Sequence, residues 1–152
     1  MKRFIIITVV ALMLVTMLAA CERKTSPDIK LNVENVTSVE FKKTYYTGDK
    51  NDPRVYKQKT LTDKQDIQKL ADWIVSLELT KHDAIEVPIE EITYAIMLKG
   101  KVSHRVVFMG DYIIYDNQAY TFDNKNDKTA VENKYNLLGY TETDTTLDLI
   151  SR

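Results

Sequence analysis

From Ile89 onward the apolar residues of this chain fall into a period of two. Ile92, Tyr94, Ile96 and Leu98 alternate with Thr93, Ala95, Met97 and Lys99. Val102, His104, Val106 and Phe108 then alternate with Ser103, Arg105, Val107 and Met109. Successive residues of a strand point to opposite faces, whereas a helix repeats every 3.6, so this stretch is built for strands. Gly100, Gly110-Asp111 and Asp116-Asn117 break the pattern, and residues 112–115 and 118–122 form two further short runs. Links this short permit only antiparallel pairing, because a parallel pair needs a crossover of roughly a dozen residues. The spacing therefore predicts a four-stranded antiparallel meander.

Upstream, residues 33–46 carry Val33, Val36, Val39, Phe41, Tyr45 and Tyr46, and residues 55–61 resume the pattern after a polar turn over 47–53. β-Branched and aromatic content marks both as strands of a long hairpin. A helix is expected over 63–79. Thr62 with Gln65 three residues later has the form of a capping box, and Asp63 and Asp66 suit a helix N-terminus. Ile67, Leu70, Ala71, Ile74 and Val75 then make one apolar stripe. Residues 123–128 (DNKNDK) are expected as a solvated loop. A short helix over 128–138 follows, with Val131, Tyr135 and Leu138 on one face and Gly139 as its C-terminal cap. The expected fold class is α+β: an antiparallel sheet, hairpin plus meander, packed in two layers on one main helix.

The first 21 residues belong to a different category. Lys2 and Arg3 precede an almost unbroken apolar run from Phe4 to Leu18, and Ala19 and Ala20 lead to Cys21, the only cysteine. A positive end, an apolar stretch and small residues are the parts of a secretory signal peptide. A buried core helix is excluded because the run has no polar face. A permanent membrane helix or an ordinary secretory signal would each leave the position of the sole cysteine unexplained. Leu18-Ala19-Ala20-Cys21 resembles the lipobox of bacterial lipoproteins. That resemblance implies diacylglyceryl transfer to the Cys21 thiol and cleavage before it, so that residues 1–20 are a removed signal. Two acyl chains are enough to anchor a protein without a transmembrane helix. Residues 21–30 are then a tether, 31–140 a single domain and 141–152 a flexible C-terminal tail.

Cleavage would remove 20 of the 152 residues, among them two basic and no acidic ones. From totals of 21 Lys+Arg and 22 Asp+Glu this leaves 19 against 22, a net charge of −3. Such a mixed, mildly acidic surface argues against nucleic acid as a partner. No second cysteine is available for an intramolecular disulfide, so packing must carry the stability of the domain.

Candidate chemistry is sparse. His82 lies among Asp83, Glu86, Glu90 and Glu91, a mixture a metal would accept, but with no second histidine at a helical or hairpin spacing the stretch is read as a solvated loop between helix and sheet. His104 sits in mid-strand beside Ser103, and adjacent strand residues face opposite ways, so the two cannot form a dyad there. No nucleophile elbow, metalloprotease helix, phosphate loop or calcium loop occurs, and no catalytic, cofactor or metal residue is assigned. Seven of the nine tyrosines fall in predicted strands: Tyr45, Tyr46, Tyr56, Tyr94, Tyr112, Tyr115 and Tyr120. Tyrosine suits interfaces, and it equally suits a half-buried sheet. Trp73 lies just off the helix stripe, as a flank of the core.

The order of hairpin, capped helix and Tyr-rich meander is similar to the YhfM-like group of small lipoproteins in Gram-positive-type envelopes. The resemblance implies a lipid-anchored protein on the extracytoplasmic side of the cell membrane and carries over no functional residue. The expected function is a non-enzymatic binding or interaction module, its partner an envelope protein or small ligand. Its surface is expected on the sheet face of Met97, Val107, Met109 and the tyrosines. An accessory or inhibitory protein acting on an envelope enzyme or toxin is the alternative. A hydrolase would require a pocket joining His82 or His104 to acids.

Overall fold

The structure, a computed structural model, describes residues 29–47, 54–83 and 92–146, and at 125–128 the backbone alone. The expected signal segment, Cys21, most of the expected tether and of the first turn, the acids Glu86, Glu90 and Glu91, and residues 147–152 lie outside the described residues.

The chain runs β1 (Val36–Tyr46), β2 (Arg54–Leu61), α1 (Lys64–Val75), β3 (Leu79–Lys81), β4 (Ile92–Gly100), β5 (His104–Met109), β6 (Tyr112–Tyr115), β7 (Gln118–Phe122), α2 (Lys125–Leu137) and β8 (Glu142–Thr145). The strands form one eight-stranded sheet in the order β3-β7-β6-β5-β4-β1-β2-β8, and every pairing is antiparallel. The expected α+β architecture is present, with hairpin and meander joined edge to edge. β1 sits between them, bonded to β2 with Phe41 opposite Lys59 and to β4 with Phe41 opposite Ile96.

Both helices cover the same sheet face. Ile67, Leu70 and Ile74 of α1 and Val131 and Tyr135 of α2 share one core with Val39, Phe41, Leu61, Tyr94, Ile96, Leu98, Val106, Phe108 and Ile113. These positions alternate along each strand, as the period of two requires. Phe41 meets Tyr135 edge-on at 5.1 Å and Tyr94 at 6.0 Å, pinning α2 to the centre of the sheet.

Several expectations shift. Asp63, not Thr62, caps α1, its carboxylate accepting from the backbone N–H groups of Gln65 and Asp66 at 2.9 and 3.1 Å. The helix stops at Val75, which is exposed, rather than at Leu79. Ser76 turns the chain, and its hydroxyl donates to the Trp73 carbonyl. Leu77 and Leu79 drop into the core, and β3 hydrogen-bonds the otherwise open edge of β7, Leu79 opposite Phe122. α2 starts at Lys125, so only Asp123 and Asn124 of the expected loop precede it. Gly139 is not its cap, since among the described glycines only Gly110 has a positive φ. Lys59 of β2 takes that role, its ammonium donating to the carbonyls of Tyr135 and Leu138. Ile29, expected in the tether, is buried in the core. The expected flexible tail is partly a strand, because the exposed side of β2 offers unpaired backbone groups that residues 142–145 satisfy.

The sheet face away from the helices also departs from expectation. Met97, Val107 and Met109 are only 8 %, 3 % and 3 % exposed. Ile92, Ala95, Val107, Ile114 and Ala119 form a second, smaller core there. The patch around Val107 and Met109 is thus buried rather than the exposed surface expected.

Candidate functional site

The two histidines have different surroundings. His82 is exposed just after β3, where its ring meets Tyr112 edge-on at 5.5 Å. Its backbone N–H and C=O are held by the Ala119 carbonyl and the Gln118 side chain. Among the described residues no group of three or more His, Cys, Asp or Glu is placed to hold a metal ion. His104 is partly buried, and its Nδ1 lies 2.6 Å from the Asp116 carboxylate, an orienting acid that sequence spacing did not reveal. The β5–β6 register brings the two together, and Asp116 also accepts the Arg105 N–H at 2.8 Å. Asp116 and Asn117 both have positive φ, the requirement of a two-residue hairpin turn of type I′. Tyr115 stacks on the His104 ring at 5.9 Å and donates its hydroxyl to the Lys30 carbonyl. Burial, with the neighbouring Asp116 charge, pushes the Tyr115 phenol up to about 12. Among the described residues no Ser, Thr or Cys is hydrogen-bonded to His104.

The tyrosines divide by face. Tyr94 and Tyr120 are in the core, Tyr56, Tyr112 and Tyr115 are half-buried, and Tyr45 and Tyr46 are exposed. Tyr135, outside the predicted strands, is the centre of a polar knot. Its hydroxyl and that of Tyr45 both donate to Glu142 Oε2, at 2.9 and 3.2 Å. Burial, reinforced by Glu142, raises the Tyr135 phenol far above the ordinary value. The Lys43 ammonium lies 4.7, 5.7 and 5.9 Å from the rings of Tyr45, Tyr94 and Tyr135, and 3.4 Å from Glu132. Burial opposes its charge, but the phenols of Tyr94 and Tyr45 and the Glu132 bond outweigh that and hold its pKa above the usual value. Every charge in this knot has a partner, which makes it a clamp between β1, α2 and β8. A cleft of about 260 Å³ beside it, lined by Tyr94, Phe108, Phe122, Val131 and Glu132, is largely apolar.

The opposite sheet face carries a polar cleft of about 590 Å³ across β8, β2, β1 and β4. Alternation on β1 points Glu40 and Lys42 into it, and register brings Gln58 opposite Lys42 and Met97 opposite Glu40. Lys99, Ser103, Thr145 and Thr146 complete the rim. Lys42 is only 5 % exposed, an unusual state for a lysine. Its ammonium donates to the Thr146 carbonyl at 3.1 Å and lies 3.5 Å from Glu40 Oε2. Lys99 pairs with the other oxygen of the same carboxylate. Two cations thus share one anion, and the cleft has a net charge of +1. Further along the same face, Thr44 lies opposite Tyr56 and Arg54 opposite Tyr46. Thr44 Oγ1 and Arg54 Nη1 are buried and, among the described residues, have no hydrogen-bond partner. Of these residues the sequence reading placed only Met97 and the tyrosines on a candidate binding surface. The alternating Glu40 and Lys42 look like an ordinary solvated face, and Thr145 and Thr146 fell in the expected tail.

Compared with known proteins, the chain matches no family model, no curated protein and no solved structure.

Proposed function

We propose that this protein is a non-enzymatic binding module, lipid-anchored through Cys21 to the extracytoplasmic side of the cell membrane. Its site on this reading is the cleft of Glu40, Lys42 and Lys99. The observation that carries the binding role is the buried Lys42 ammonium, which among the described residues has one carboxylate within reach and shares it with Lys99. A buried charge is costly unless fully paired, and an incompletely neutralised cation at the floor of a cleft favours a partner that completes it. The anchor rests on Leu18-Ala19-Ala20-Cys21. Ile29 is already in the core, so seven residues separate it from Cys21, and the eight steps between them span at most about 26 Å at ~3.3 Å per residue. The domain is therefore held close to the bilayer.

Metabolic labelling with palmitate and membrane fractionation test the anchor. The wild type takes up label and sediments with membranes, and Cys21→Ala does neither. Membrane retention of Cys21→Ala, or an unlabelled wild type, refutes it. The alternative, an accessory or inhibitory protein on an envelope enzyme or toxin, is favoured by Tyr46, 62 % exposed beside the exposed Tyr45 at the end of β1. Cross-linking in intact cells that recovers one stoichiometric enzyme, lost in Tyr46→Ser, would establish that reading.

A further inference from the structure

We infer that the cleft and the strip of sheet leading from it to Arg54 bind an extended polyhydroxyl chain bearing anionic groups. The inference rests on the proposed binding role and assigns its ligand class. Three cationic groups, Lys99, Lys42 and Arg54, lie along this face, and Lys42 and Lys99 share the Glu40 carboxylate. Among the described residues Arg54 Nη1 is a charged donor without an acceptor, and the Thr44 hydroxyl beside it is likewise unpartnered. Guanidinium and ammonium donors form their strongest hydrogen bonds with carboxylate or phosphate oxygens. The rest of the rim, Gln58, Ser103 and Thr145, offers amide and hydroxyl groups rather than apolar walls, the lining a polyol can hydrogen-bond. Lys42 and Arg54 sit opposite Gln58 and Tyr46, four residues apart along the strands, or about 13 Å at ~3.3 Å per residue. The cationic groups are thus spread in a line, which fits a chain rather than a compact ion. Carboxylate-bearing and phosphate-bearing polyols share this chemistry.

The experiment is amide shift mapping on the isotope-labelled, full-length lipidated protein in detergent micelles. Glycerol 1-phosphate and gluconate are the anionic probes, sorbitol the neutral one and glucosamine the cationic one. Both anions are expected to shift the amides of Lys42, Thr44 and Gln58, and the tighter of the two identifies the source. Sorbitol should bind about tenfold more weakly, since it lacks the charge-assisted bonds, and glucosamine should leave these amides unmoved. Arg54→Gln should weaken the anions about tenfold, whereas Glu40→Gln, by removing the competing carboxylate, should strengthen them roughly threefold. Sorbitol binding as tightly as the anions, or anion affinity unchanged in Arg54→Gln, overturns the ligand class while leaving the cleft a binding site. Silence of this face toward all four probes overturns the cleft as the site as well.

Discussion

Replacing Lys59 by methionine isolates the interaction that holds α2 against the sheet. Lys59 is nearly buried, and its ammonium donates to the Tyr135 carbonyl at 3.0 Å and the Leu138 carbonyl at 2.6 Å. It also lies 5.0 Å from the Tyr135 ring centroid. The carbonyls at the end of a helix have no partner within it, so this cation supplies the cap and complements the helix dipole. Methionine keeps the length and apolar stem but removes both bonds. A hydrogen bond from a charged donor contributes ~1.5–3 kcal/mol, and two lost bonds would cost up to about 5. The Tyr135 carbonyl keeps its bond from the Leu138 N–H, and methionine avoids dehydrating an ammonium. The net loss should therefore be about 2–3 kcal/mol. The control is Lys57→Met, two residues away on the same strand, whose pair with Asp144 is exposed and screened by solvent, so its loss should shift the midpoint far less. Urea unfolding of both variants, followed by circular dichroism, measures the difference. Equal midpoints for the two, or a Lys59→Met loss below about 0.5 kcal/mol, would refute the capping role.

Asp63→Ala should destabilise the protein by ~1 kcal/mol by uncapping α1, whereas Thr62→Ala should cost less than about 0.5; reversed values from urea titrations would restore Thr62 as the cap. A Cβ on Gly100 would lie 2.1 Å from the Asn35 carbonyl oxygen and 2.9 Å from Val36 Cα, both backbone, so Gly100→Ala should cost about 3 kcal/mol. Gly139→Ala, with nothing within 4 Å of the added atom, should be near neutral, and similar melting temperatures for the two would contradict this. Alkaline stability is fixed in sign: the Tyr115 phenol is raised from 10.0 to about 12, and those of Tyr94, Tyr120 and Tyr135 are also raised, by burial first. Between these values the native state keeps protons that the unfolded chain has lost, so stability falls as pH rises from 10 to 12. Tyrosinate absorbance should show these phenols ionising with unfolding; complete ionisation near pH 10 with the fold intact would be inconsistent with their burial.

Patterns local in sequence carried the architecture. The period of two over β4 to β7, the two-residue turns and the stripe of Ile67, Leu70, Ala71 and Ile74 each follow from residues close together in the chain. Backbone geometry converts such spacing directly into strand, turn or helix face. The missed elements depend on distant partners. β3 and β8 are three- and four-residue strands with little apolar content of their own, and each exists because β7 and β2 present open edges. Val75 had the spacing of a core residue, but the helix needed only enough turns to cover β1.

The resemblance of Leu18-Ala19-Ala20-Cys21 to a lipobox, on which the proposed anchor rests, was likewise legible without a fold, because a lipid-accepting thiol would require cysteine at one position. The cleft was not. Glu40 and Lys42 acquire their meaning only when Lys99, 57 residues beyond Lys42, and Thr146 arrive beside them through β4 and β8. Likewise, nothing near Gly139 in sequence could announce that Lys59 would cap α2. Alternation told which residues share a strand face; whether that face is dry, wet or charged was settled by what the remaining strands brought against it.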